Sequence, residues 1–209
     1  MGSVLTDKQI EILKVAERLF AEKGFDGTSV RDIANEASIN VAMVSYYFGS
    51  KQKMLESLML FRTADLKLQL ESLHLEPISP LEKIDKLVEL YISRIHKNRL
   101  IYKIVHFEIS SNKRNVDLEA FTEVKKNNIV SLQKIIGEGQ EKGVFRKDVN
   151  INLLAPTILG TFFHLQMNRV FYEEMLGLKT DEEFDHYMHN DLIKHIQQTI
   201  KALLTYESN

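Results

Sequence analysis

Residues 28–51 read TSVRDIANEASINVAMVSYYFGSK. The stretch holds two short helical patterns separated by a tight turn. Ile33, Ala34 and Ala37 share one face of the first, behind a hydroxyl at Thr28 or Ser29 suited to its N-cap. Ser38-Ile39-Asn40 turns the chain, and Asn40 is placed to cap a second helix over Val41–Tyr47. Phe48-Gly49 ends that helix and Ser50 caps the next. Two helices crossing steeply over three or four residues form a pair that can seat one member in a DNA major groove. Such a crossing needs a small side chain where the helices meet, and Ala34 supplies it. Ile33, Ala37, Ile39 and Val44 have the spacing of a mini-core with the preceding helix. Val41, Ala42, Ser45 and Tyr46 then point outward.

An outward face without a long charged side chain suits close approach to base edges. Val41 and Ala42 can meet thymine methyls, and Ser45 can donate or accept. The hydroxyls of Tyr46 and Tyr47 have the reach for phosphates. Thr28, Ser29 and Lys51 sit at or near helix starts, where backbone amides also favour anions. Arg31 and Asn40 complete the candidate DNA-binding set. The competing reading is two short helices of an ordinary bundle, with the tyrosines as packing residues.

Outward from this stretch the chain is helical. Thr6-x-x-Gln9 is a capping box, and Ile10, Ile12, Leu13, Ala16, Leu19 and Phe20 follow at helical spacing up to Gly24. A long helix is expected from Lys51 to about Leu75, before Pro77. Others are expected at about 80–97, 99–112, 116–142, 150–175 and 181–206. The fold class is therefore all-α, with about nine helices and no strand pattern. A helix-turn-helix domain is expected over residues 1–53 and a helical domain over 54–209.

The chain has 209 residues, 44% apolar and 27% charged, as in ordinary globular proteins. The lack of cysteine rules out a disulfide framework or a thiolate zinc site. The N-terminal MGSVLTDKQ lacks the parts of a signal peptide, and no apolar run approaches the roughly 18 residues of a membrane span. A cytoplasmic, non-membrane protein is expected. Net charge is −2, and residues 1–53 hold seven Lys/Arg against seven Asp/Glu. That balance argues against a non-specific electrostatic DNA binder.

The segment from Phe20 to Leu55, FAEKGFDGTSVRDIANEASINVAMVSYYFGSKQKML, resembles the N-terminal signature of the TetR/AcrR family of bacterial transcriptional regulators. Phe20 and Gly24, Thr28-Ser29, Ile33-Ala34, Tyr46-Tyr47-Phe48 and Ser50-Lys51 carry the resemblance. Two positions depart from it, with Ser38 where glycine is usual in the turn and Ser45 where tyrosine is usual. The resemblance implies a sequence-specific, ligand-responsive repressor, a homodimer on a palindromic double-stranded operator. It also implies that residues 54–209 bind an effector and form the dimer through the last two helices. The segment near 150–175 is apolar on many faces. The last helix carries Phe184, Met188, Leu192, Ile196, Ile200 and Leu203 at 3–4 spacing.

An effector pocket needs an apolar lining with a few polar groups. Tyr102, His106, Phe107, Phe121, Phe162, Phe163, His164, Met167 and Tyr172 are candidates for a largely apolar small molecule, each with core packing as the alternative. His186-x-x-His189 with His195 lacks a carboxylate cluster, so no metal is expected. No cofactor motif or nucleophile–base arrangement is present in the sequence, and no enzyme is expected. The rival function is a helical ligand-binding or protein-interaction module whose helix-turn-helix has lost DNA affinity.

Overall fold

The computed structural model describes residues 5–111 and 119–205, and their side chains apart from those of residues 106, 107 and 109–111. In chain order the helices are α1 (Asp7–Lys23), α2 (Val30–Glu36), α3 (Val41–Phe48), α4 (Lys51–Thr63), α5 (Leu66–Leu75) and α6 (Pro80–Lys97). There follow α7 (Arg99–Ser111), α8 (Glu119–Glu141), a 3-10 turn (Ile151–Leu153), α9 (Leu154–Met167), α10 (Arg169–Leu176), α11 (Asp181–His189) and α12 (Asp191–Leu204). The described residues contain no strand.

Helix starts lie where hydroxyls and amides can satisfy orphan N–H groups. Thr6, Ser29 and Thr180 each close a capping box with the residue three positions on, and Asn40 and Ser50 accept from backbone amides. Three long helices expected from periodicity are each divided. α4 stops at Thr63, whose hydroxyl donates to the Met59 carbonyl at 2.8 Å. At the other two breaks an asparagine amide does the same work. Asn168 Nδ2 donates to the His164 carbonyl at 2.8 Å, and Asn190 Nδ2 to the His186 carbonyl at 2.8 Å. The backbone leaves ordinary helical values at Asn168, with φ −106° and ψ 29°, and at Asn190, with φ −119° and ψ −66°.

The chain divides into two compact units, Met1–Asp65 with Asn98–Lys125, and Leu66–Lys97 with Lys126–Asn209. The division differs from a boundary between residues 53 and 54, because that point lies inside α4. Met54, Leu55 and Leu58 share one buried cluster with Ile12, Leu13 and Ala16 of α1, Ile33 of α2 and Val44 of α3. Ile101 and Ile104 of α7 belong to the same cluster. A nearly buried Glu17 on α1 receives both Arg62 Nε and a terminal nitrogen from α4, fixing these two helices.

In the second unit α12 packs antiparallel on α6. Lys201 pairs with Asp85 at 2.7 Å, and Gln197 donates to Glu89 at 3.2 Å. Phe184, Met188, Leu192, Ile196 and Ile200 are all buried within the subunit, and only Leu203 of that expected apolar series is exposed. Lys83, buried on α6, donates to Glu138 of α8 at 2.6 Å. The Glu138 carboxyl is pulled down to about 2, first by its bond from Lys142 and then by Lys83.

Gly139 on α8 lies under the Phe145 ring, and a Cβ there would stand 2.1 Å from a ring carbon. Phe145 is 1% exposed and has no room to retreat. Gly139→Ala is therefore expected to cost about 1–3 kcal/mol, as overpacking does. Urea denaturation would show this, and Gly139→Ala with Phe145→Leu should be more stable than Gly139→Ala alone.

Candidate nucleic-acid interface

The turn between α2 and α3 is held by backbone bonds from Ala37 N to Ile33 O and from Ile39 N to Ala34 O, both 2.9 Å. Ala34 is fully buried at the crossing. Ser38 has φ of 52°, the left-handed region that favours glycine. The serine therefore sits in a conformation that glycine adopts at no steric cost. Ser38→Gly should raise stability by about 0.5–1 kcal/mol, the left-handed penalty less the greater unfolded-chain freedom of glycine. A thermal-melt series with Ser38→Ala as the reference checks this.

Val44 and Phe48 are 1% and 6% exposed and fix the rotation of α3 about its axis. The other sides present Ala42, Met43, Ser45 and Tyr46, all exposed, with Tyr46 at 79%, and Val41 is exposed at the helix start, one turn before Val44. Tyr47 is half-buried, its ring edge-on to Tyr46 at 5.4 Å. Asn40 is exposed, and its Oδ1 accepts from the Ala42 amide at 2.8 Å. Met43 was not among the candidates, yet it lies on this face. A spacing argument finds it, since the residue after Ala42 remains on the side away from Val44 and Phe48.

The helix starts behave differently from expectation. Thr28 is fully buried, and its hydroxyl lies 2.8 Å from the Gly24 carbonyl and 3.1 Å from that of Leu19. It ties the end of α1 and is corrected from a phosphate contact to a structural group. Lys51 Nζ donates to the carbonyls of Phe25 at 2.8 Å and Thr28 at 2.7 Å, with its ammonium 4.2 Å from the Phe25 ring centroid. These bonds pin the α1–α2 turn to the start of α4. Ser29 is exposed, but its hydroxyl and amide both donate to Asp32, at 2.6 and 2.7 Å. Those bonds, the hydroxyl first, hold the Asp32 carboxyl below its ordinary range. To donate to a phosphate, Ser29 must release Asp32. Arg31 and Lys53 are exposed and make no side-chain ion pair or hydrogen bond among the described residues. Lys53, outside the candidate set, is the more exposed of the two lysines at the start of α4.

These positions match known proteins. Residues 12–58 fit the model of bacterial regulatory proteins of the tetR family, and residues 80–199 fit the tetracyclin repressor-like C-terminal domain. The chain belongs to the TetR family of transcriptional regulators. It is 30% identical over 169 residues to the HTH-type transcriptional repressor NicS of Pseudomonas putida, covering 76% of this chain and 75% of that protein. Among solved structures, the fatty acid degradation regulator FadR of Bacillus halodurans superposes with a TM-score of 0.71 at 23% identity, over 95% of this chain and 96% of that one. FadR of Bacillus subtilis, in complex with stearoyl-CoA, gives 0.66 at 21%, over 90% and 96%.

The expected effector residues fall into both units. Tyr102, half-buried, and Phe121, buried, belong to the cluster of the first unit. Phe162 is buried in the second, with half-buried Phe163 edge-on at 5.9 Å. His164 is exposed and meets Tyr172 edge-on at 5.9 Å. Met167 is 67% exposed. Both side chains lie on the surface of the chain. The side chains of His106 and Phe107 lie outside the described residues.

Lys51→Ala separates the two roles of that lysine. It should cost about 2 kcal/mol of stability through its charge-assisted bonds. Operator affinity should fall for all sequences alike, with the slope of log affinity against log salt unchanged. A slope shallower by about one unit would place the ammonium on a phosphate instead.

Proposed function

We propose that this TetR-family regulator is a ligand-responsive repressor that binds a palindromic operator as a homodimer in the cytoplasm. The observation that carries the proposal is the exposed, uncharged face of α3, set outward by the buried Val44 and Phe48. Val41, Ala42 and Ser45 meet base edges, with Tyr46 and Asn40 beside them. Tyr47, Arg31 and the amides at the starts of α3 and α4 serve phosphates. The DNA-reading role belongs to the helix-turn-helix and the effector and dimer roles to the rest of the chain.

The dimer reading is supported by the surface of the second unit. Leu153, Met167, Phe171 and Met175 recur at helical intervals through α9 and α10, each more than half exposed. Met167, Phe171 and Met175, four residues apart with exposed Val170 beside them, form an apolar patch that suits a second copy of the chain. α12 can add only its outward side, including Leu203, since its main apolar series is already buried. Phe171→Arg should therefore yield monomers by light scattering and lose operator binding together.

An effector must prefer the state that fits DNA poorly, since it shifts an equilibrium only by its difference in affinity. FadR of Bacillus subtilis, a structural neighbour, was solved with stearoyl-CoA, and a largely apolar effector is the corresponding proposal here. Selection of genomic fragments by the purified protein, at low salt and without ligand, tests the whole reading. A palindrome with half-sites about one helical turn apart, or a small multiple, is expected. Enrichment of no palindrome would overturn it and favour a module that has lost DNA affinity.

A further inference from the structure

We infer that α3 reads its operator chiefly through the C5-methyl groups of pyrimidines, so that the half-site carries A·T pairs beneath this helix. The inference rests on the DNA-reading proposal above and goes on to name what is read. At 3.6 residues per turn, the direction opposite Val44 and Phe48 falls between Ala42, Met43 and Tyr46. The exposures of Tyr46, 79%, and Met43, 36%, agree, and Val41 is 37% exposed at the helix start.

The chemistry of that face is narrow. Residues 41–48 contain no Arg, Lys, Asn, Gln, Asp or Glu. The bidentate pairings that single out guanine or adenine are therefore absent from the helix. Asn40 is the nearest amide, but its oxygen caps α3 through the Ala42 N–H. Adenine recognition needs both ends of an amide, so Asn40 would have to uncap the helix to supply it. Ser45 and the Tyr46 hydroxyl remain as hydrogen-bonding groups, and neither distinguishes one base pair strongly.

What the face does offer is Val41, the Ala42 methyl, the Met43 thioether and the Tyr46 ring. The major groove has one apolar feature, the thymine methyl. Placing these side chains against a G·C pair would strip water from its polar edges without replacing the bonds. Placing them against thymine buries a methyl on both sides. The long cations Arg31 and Lys53 lie outside α3, where they serve backbone register.

The test begins with selection of an operator from random duplexes by the full-length protein. Each thymine of a half-site is then replaced by uracil, which removes only the methyl, and affinity is measured by fluorescence anisotropy at fixed salt. Loss of about three- to fivefold per methyl is expected at the positions under α3. A C·G pair at those positions should bind worse, and 5-methylcytosine should restore part of the loss. Met43→Ala should shrink the thymine-to-uracil ratio at one position while leaving binding measurable. A selected operator with G·C pairs throughout, or one indifferent to uracil at every thymine, would overturn the inference and leave the DNA-reading proposal intact. Selection of no sequence at all would overturn the proposal beneath it.

Discussion

The orientation of the reading helix depends on a lysine whose ammonium is turned into the protein. Lys51 extends its ammonium from the start of α4 back to the carbonyls of Phe25 and Thr28 and over the Phe25 ring. Those carbonyls belong to the turn that launches α2. Thr28 braces the same turn from the other side, through the carbonyls of Leu19 and Gly24. α3 is suspended between two fixed points, the capped start of α2 and the capped start of α4. One ammonium and one hydroxyl thus bond four backbone carbonyls around a single turn.

That clamp explains how a head with as many acidic as basic residues can still present a reading surface. Thr28 and Lys51 bond inside the head, while Arg31 and Lys53 are exposed on the reading helix's flanking segments. Affinity then has to rest on backbone amides, on Arg31 and Lys53, and on close packing of an uncharged helix into the groove. Such an arrangement favours selectivity over electrostatic attachment, because little of its binding free energy is independent of sequence.

Much of this was legible in the residues. The caps at Thr6, Asn40, Ser50 and Thr180 follow from side-chain chemistry alone, and so does the buried set of Ile33, Ala34, Ala37 and Val44. The breaks at Asn168 and Asn190 were not, because periodicity continues through both. Only the backbone torsions of Asn168 and Asn190, which leave ordinary helical values, show the breaks. The inward turn of Thr28 and Lys51 escaped for a related reason. Exposed-looking polar residues at helix starts do not reveal which carbonyls the fold brings beside them, four and nine positions back for Thr28 and more than twenty for Lys51. Likewise the apolar series of the last helix reads equally well as an interface or as a core, and the contacts with Asp85 and Glu89 decide for the core.

The most direct measurement is solution NMR of the protein, methyl-labelled at Val, Ala and Met, with and without a selected operator duplex. The account predicts intermolecular cross-peaks from the Ala42 and Met43 methyls to major-groove protons, while the methyls of buried Val44 keep only their internal contacts. Cross-peaks confined to other surfaces, with the α3 methyls unmoved by DNA, would contradict it.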